Sequence, residues 1–290
     1  MHQFIQAKTI LSKYKQADSW FHIRYSMNLY RGCQHQCIYC DSRSECYRIE
    51  NFENILIKEN AIGILRSELK KLKEKDTIGT GSMNDPYMPV EKEIQLTRQA
   101  LEVIYEFRYP LHVITKSDMV LRDIELIQKI SRVYATVSVT ITAADDALSS
   151  ILEPGAVVSS KRFEAVRKLN ESGIRAGILL MPVLPFITDT EENITNIVVK
   201  AKQANAAYIL PAFGGTLRDK QRAYFFDKLE QFYPDILALY HKYYRGQYSF
   251  QSPAQNKLIN LFSSLCRQYG IRNDIPAYEK IGNQQFSLFE

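Results

Sequence analysis

The sequence has no run of about 18 apolar residues, the length a helix needs to cross a bilayer, so no membrane span is expected. No secretory leader is expected in the opening MHQFIQAKTILSKYKQADSW, which has one short apolar run, broken by charge. Low-complexity stretches, long linkers and repeats beyond a strand–helix rhythm are also lacking. Charge of one sign is weak: a net +5 permits a nucleic-acid or phosphate-bearing partner without requiring one. Cysteines number five, an odd count, and three of them crowd together, which does not suit a disulfide framework. A reducing, cytoplasmic setting is expected, with the thiols free or bound to metal.

The 290 residues are 46% hydrophobic and 24% charged, enough for a sizeable core and too apolar for disorder. Strands are expected at 24–30, 76–82, 111–116, 135–141, 174–183 and 206–213, near-continuous apolar runs rich in Val, Ile and Thr. Buried parallel strands have this character. Helical spacing lies between them at 59–75, 93–107, 120–131, 160–173 and 191–205. Gly173 suits the end of the fourth of these helices. In RSELKKLKEK (66–75) acids interleave with lysines, which reads as a solvated helix face rather than a binding patch. Six βα units predict an α/β fold with a parallel sheet or barrel over residues 1–230. A helical and irregular C-terminal appendage, 231–290, follows, placed to cover the barrel mouth. In such folds the working residues gather where strands end. That rule brings the cysteine loop, Ser82, Asn84, Asp85, Thr115 and Lys116 to one mouth, with Ser138, Thr140, Thr142, Pro182 and Pro185.

The stretch NLYRGCQHQCIYCDS (28–42) carries Cys33, Cys37 and Cys40 in the spacing C-x3-C-x2-C. On a straight helix these positions share a face, but Gly32 and the polar Gln34, His35 and Gln36 argue against a buried helical stripe. Zinc needs a fourth ligand or a water, for which His22, His35 or Cys46 could be recruited. Thiolates are also the natural ligands of iron–sulfur clusters, and three of them leave one iron of a cubane open to a substrate or cofactor.

The form C-x3-C-x-aromatic-C, with Tyr39 as the aromatic, resembles the signature of the radical S-adenosylmethionine (SAM) superfamily. YRGCQHQCIYC is similar to the loop of its spore photoproduct lyase-like branch. The likeness continues through NDPYMPVE (84–91), VITKSD (113–118), VSVTIT (137–142), ILEPGAVVSSKRFEAVRKL (151–169) and MPVLPFITD (181–189). The resemblance implies a partial (β/α)6 TIM-like barrel and a [4Fe-4S] cluster on Cys33, Cys37 and Cys40. It implies SAM bound at the open iron and cleaved reductively to a 5′-deoxyadenosyl radical, which abstracts hydrogen from a substrate. An external reductant such as flavodoxin or ferredoxin would supply the electron. By the same resemblance Tyr39 packs near the adenine, and Asn84 and Asp85 stand where the SAM ammonium is bound. Lys116 matches a SAM-contacting lysine, Thr140 a SAM-contacting serine, and Glu153 and Arg162 fall in the family's EP…R stretch.

One position departs from the pattern. Photoproduct lyases carry a hydrogen-donating cysteine where this chain has Ser82. An O–H bond is far stronger than an S–H bond, so serine is a poor donor to a carbon radical; a tyrosine or Cys46 would have to substitute. Cys46 reads otherwise as a bystander thiol, and Cys266 as a core residue. HKYYRGQYSF (241–250) interleaves basic and aromatic residues, as base-stacking surfaces do, although packing under a C-terminal helix explains it as well. A DNA-repair lyase, an enzyme acting on a peptide or small molecule, and a non-catalytic zinc or iron–sulfur module are the competing functions.

Overall fold

The computed structural model describes residues 2–279. The chain opens with β1 (His2–Ile5), β2 (Leu11–Lys13), β3 (Tyr25–Met27) and β4 (Tyr30–Arg31). Two 3-10 turns, Asp41–Arg43 and Glu45–Tyr47, lead to β5 (Ile55–Lys58) and α1 (Ala61–Lys71). Strand and helix then alternate. The next elements are β6 (Ile78–Thr80), α2 (Glu91–Ile94), α3 (Leu96–Phe107), β7 (Leu111–Thr115), a 3-10 stretch Asp118–Asp123 and α4 (Ile124–Ser131). After them come β8 (Ala135–Thr140), α5 (Asp146–Leu152), α6 (Ser159–Glu171), β9 (Arg175–Leu180), α7 (Glu191–Gln203) and β10 (Ile209–Pro211). The chain continues through β11 (Gly214–Thr216), α8 (Asp219–Phe232), α9 (Pro234–Tyr244), β12 (Ser249–Gln251) and α10 (Gln255–Tyr269).

The central sheet runs β10-β9-β8-β7-β6-β3-β2. Its first six strands are parallel and follow chain order, and β2 joins antiparallel at the β3 edge. The two outer strands do not pair with each other, so the sheet is open. All six residues of β8 are buried, as expected of a central parallel strand covered on both faces. Helix α3 buries Leu96, Ala100, Leu101, Val103 and Ile104, an apolar stripe at helical spacing. Helix α6 ends as expected: Gly173 takes φ +76°, and the Ile174 N–H returns to the Leu169 carbonyl at 3.0 Å.

Several expected elements divide. The strand at 24–30 splits, because β4 leaves the main sheet to pair with β5 in a small sheet ordered β1-β5-β4. The helix at 93–107 breaks at Gln95, which is left-handed. There the buried Glu91 carboxylate takes the Thr97 N–H at 2.7 Å. The helix at 120–131 begins as a 3-10 stretch. The boundary expected at 230 falls inside α8. Helix α10 packs on α7 and places Leu258, Phe262 and Cys266 in the main core, so the C-terminal segment shares that core. Of HKYYRGQYSF, Tyr244 and Phe250 are buried beside Phe225 and Tyr240, whereas Tyr243 and Tyr248 stay exposed. Among the described residues no helix is long and apolar enough to cross a membrane.

Candidate functional site

A cavity of about 640 Å³ opens at the carboxyl ends of the parallel strands. Cys33, Cys37 and Cys40 line it, with Ser82, Asn84, Asp85, Thr115, Lys116, Thr140 and Pro182. Three residues expected at the mouth do not line it. The Ser138 hydroxyl is buried, 2.7 Å from His112 Nε2 and 2.7 Å from the Tyr208 hydroxyl. Thr142 donates to the Met181 carbonyl at 3.2 Å, and Pro185 stands aside. Cys46 is exposed and off the cavity, with Ser44 and Arg218 donating to its sulfur.

The polar residues between the cysteines tie the loop down. Gln34 Oε1 accepts the Val90 N–H at 2.7 Å, and Gln36 Nε2 donates to the Cys33 carbonyl at 2.6 Å. His35 faces acceptors on both sides: Nδ1 lies 3.0 Å from the Gly155 carbonyl and Nε2 3.1 Å from Asp85 Oδ2. The Gly155 N–H returns to the His35 carbonyl at 2.9 Å. Backbone contact there is so close that a Cβ on Gly155 would lie 1.9 Å from the Gln34 carbonyl oxygen. His22 does not line the cavity and both nitrogens of His35 are engaged, so neither presents a fourth metal ligand. Among the described residues no group of three His, Cys, Asp or Glu side chains converges on one metal ion.

Tyr39, Glu153 and Arg162 form one buried network. Tyr39 donates to Glu153, and Arg162, which is fully buried, pairs with the other oxygen of that carboxylate. Arg162 also donates to the Val157 carbonyl at 2.7 Å and the Thr140 carbonyl at 3.1 Å. The network thus locks the cysteine loop to the end of β8. Asp85 is equally committed: it accepts from the Thr115 hydroxyl at 2.7 Å, Lys116 N–H at 2.6 Å and Tyr87 N–H at 2.8 Å, besides facing His35. Asn84 donates its amide to the Tyr30 carbonyl at 2.7 Å, which leaves its side-chain oxygen as the free acceptor. Among the described residues the Lys116 ammonium and the Thr140 hydroxyl make no hydrogen bond, and Lys116 stands 5.8 Å from the Tyr39 ring centre.

Electrostatics follow from burial. Burial pushes the Cys33 thiol up to about 12, and the Asp85 charge and Cys40 add to it. Burial likewise raises Cys37 and Cys40. Burial alone would raise the Asp85 carboxyl, but His35, the Thr115 hydroxyl and the Lys116 N–H outweigh it and hold it at about 2. For Lys116 burial works against the charge, and Cys37 and Glu153 override it, so the ammonium persists.

Sequence reasoning missed several residues here. Gly155 and His35 act through contacts between segments 120 positions apart, for which no local pattern exists. Tyr14, Trp20 and Phe21 also line the cavity, and nothing in their spacing marked them; Phe250, which lines it too, ends the flagged stretch HKYYRGQYSF.

Fold and site together describe a parallel α/β protein whose cavity, at the strand ends, holds three free thiols and an ammonium without a hydrogen bond among the described residues. The family model for the radical SAM superfamily matches residues 27–197, and the chain belongs to that superfamily. Membership implies an enzyme that uses SAM and a [4Fe-4S] cluster. The uncharacterized protein Rv2578c of Mycobacterium tuberculosis is 27% identical over 249 residues, covering 83% of this chain and 73% of the relative. The uncharacterized protein MJ0683 of Methanocaldococcus jannaschii is 35% identical over 171 residues, covering 58% of this chain and 63% of the relative. Among solved structures, spore photoproduct lyase complexed with dinucleoside spore photoproduct aligns with a TM-score of 0.64 at 14% identity. That alignment covers 92% of this chain and 79% of the lyase, and the likeness is one of fold.

Proposed function

We propose that this chain is a radical SAM enzyme on a partial (β/α)6 barrel, with Cys33, Cys37 and Cys40 as the protein ligands of a [4Fe-4S] cluster. The observation that carries the reading is three free thiols in one cavity, with no uncommitted fourth ligand beside them among the described residues. A cluster takes each thiolate on a separate iron, which suits thiols that do not converge on one point. When bound, the cluster and SAM supply a 5′-deoxyadenosyl radical for hydrogen abstraction.

The chain's own residues then have these roles. Lys116 receives the SAM carboxylate, since its ammonium is half-buried, charged and unpartnered. The free side-chain oxygen of Asn84 accepts from the SAM ammonium. Asp85 serves the same end indirectly, because its oxygens are already engaged in pinning the turn to β7. The Thr140 hydroxyl faces the ribose. Tyr39 forms the wall beside the adenine, and the Glu153–Arg162 pair fixes its ring. A reductant such as flavodoxin or ferredoxin approaches on the side of Cys40, the one partly exposed member of the three. Reversal of a thymine photoproduct is not part of this reading. The Ser82 hydroxyl is paired with Ser26 at 2.9 Å and Cys46 lies off the cavity, so that alternative would need a cavity tyrosine, Tyr14 or Tyr39, as hydrogen donor.

The test is anaerobic reconstitution with iron and sulfide, reduction with dithionite, and addition of SAM. 5′-Deoxyadenosine that disappears in Cys37→Ala supports the reading. Failure to take up iron overturns it and turns attention to zinc.

A further inference from the structure

Tyr14, Trp20 and Phe21 line the same cavity as the cysteines. They belong to a different part of it. Phe21 packs with Ile114, Leu179 and Met181, whereas Cys37, Tyr39 and Cys40 fall in a separate packing cluster. Trp20 is 50% exposed and Tyr14 43%, large aromatic surfaces that the core does not use.

The segment that carries them is held in place. Asp18 accepts the Trp20 N–H at 3.0 Å, the Phe21 N–H at 2.6 Å and the Ile23 N–H at 2.8 Å. His112, buried on β7, lies 3.1 Å from the Phe21 carbonyl through Nδ1, with its ring 6.0 Å from the Phe21 ring. Ile23 fills the space above Gly79, where a Cβ would lie 2.2 Å from its side chain. The exposed rings are thus a pre-ordered wall.

Charge narrows what the wall receives. The ammonium lining the cavity is that of Lys116, beside the cysteine loop. Beside the aromatic wall, the Asp18 carboxylate is taken up by backbone N–H groups. Ser26 and Ser82, whose hydroxyls pair at 2.9 Å, also line the cavity, as do Gly214 and Gly215, which stand side-chain-free against Phe250. Aromatic faces with a few hydroxyls and no cation bind planar neutral groups well and anions poorly.

We infer that Tyr14, Trp20 and Phe21 form the substrate pocket of this enzyme, and that it accepts an uncharged planar ring. The inference rests on reading the cysteine end as the SAM site, which assigns this end to substrate.

Trp20 is the chain's single tryptophan, so its emission reports on this wall alone. The experiment uses the full chain, iron-loaded and unreduced, without oxygen. SAM binding is measured first by equilibrium dialysis. Trp20 emission is then titrated with uridine and with N-acetylphenylalaninamide, against uridine 5′-phosphate and N-acetylleucinamide as charged and non-planar counterparts. The expected result is a saturable change with at least one planar neutral probe, tighter than with its counterpart. Which probe succeeds separates a nucleobase from an aromatic side chain. In Tyr14→Ala, an exposed position that does not threaten folding, binding of that probe weakens about tenfold. The inference falls if neither planar probe binds, if the counterparts bind as well, or if Tyr14→Ala changes nothing. Absent SAM binding strikes the radical SAM reading, and the probe titrations are read regardless. SAM bound with both planar probes silent removes the ring pocket alone.

Discussion

Replacing Gly155 with alanine puts a methyl group into the contact that clamps the cysteine loop. The new Cβ would lie 1.9 Å from the Gln34 carbonyl oxygen and 2.9 Å from both the Gln34 carbonyl carbon and His35 Cα. These are backbone atoms, so no side chain can swing aside. Restoring an ordinary contact near 3.4 Å requires the loop or the turn to retreat by about 1.5 Å. That retreat breaks both links between the segments, Gly155 N–H to the His35 carbonyl at 2.9 Å and His35 Nδ1 to the Gly155 carbonyl at 3.0 Å. Each lost link costs about 1–3 kcal/mol when its buried partner is left unsatisfied, so the loop loses about 2–6 kcal/mol. The assays are iron per chain after anaerobic reconstitution, and thermal unfolding. Gly155→Ala should load less than half the iron of the parent and unfold at lower temperature. Gly63→Ala is the control. Gly63 lies in α1 with nothing within 4 Å of the added Cβ, and alanine there should stabilise by up to about 1 kcal/mol. Normal iron loading and an unchanged melting temperature in Gly155→Ala would refute the clamp.

Three further outcomes are expected. Glu153→Gln and Arg162→Met should each cost about 3–5 kcal/mol, because each strands a buried charge, while the double variant recovers much of the loss; equal additive losses in thermal melts would contradict this. Lys116→Met should weaken SAM binding about tenfold or more in equilibrium dialysis without altering iron content; unchanged affinity would remove Lys116 from the site. Burial lowers the His112 imidazole from its ordinary 6.5 to about 4, so between these values the unfolded chain binds the proton and the native chain does not. Stability present at pH 7 should therefore fall by about 2 kcal/mol by pH 5 through this group, seen as a slope in urea midpoints that His112→Gln reduces; an equal slope in the variant would assign it elsewhere.

Much of the fold was legible because its signals are local. Runs such as ATVSVT are apolar on both faces, and only a strand covered on both sides needs that. Five of the six expected parallel strands were found at the quoted stretches with shorter bounds, and the sixth lost its second half to another sheet. Nothing in RYSMNLY announces that exit. Tyr30 and Arg31 turn away because β5, some 25 residues later, offers them a partner. The break at Gln95 was hidden for a similar reason, since it depends on a buried glutamate taking a backbone N–H out of the helix.

The sequence by itself determined which chemistry this protein carries: three thiols at C-x3-C-x2-C, polar residues between them, and βα units whose strand ends face one way. Those features are written in spacing, and spacing is what a chain shows before it folds. Only the tertiary structure decided how the site is held and shaped. It turned His35 from a loop residue into a tie, committed Asp85 to its own backbone, and left Lys116 unpaired. It also brought Tyr14, Trp20 and Phe21 from the chain's first turns to the wall of the cavity. Hydrogen bonds and empty Cβ positions depend on which segments meet in space. Segments 50 to 120 residues apart carry no periodic mark of that meeting.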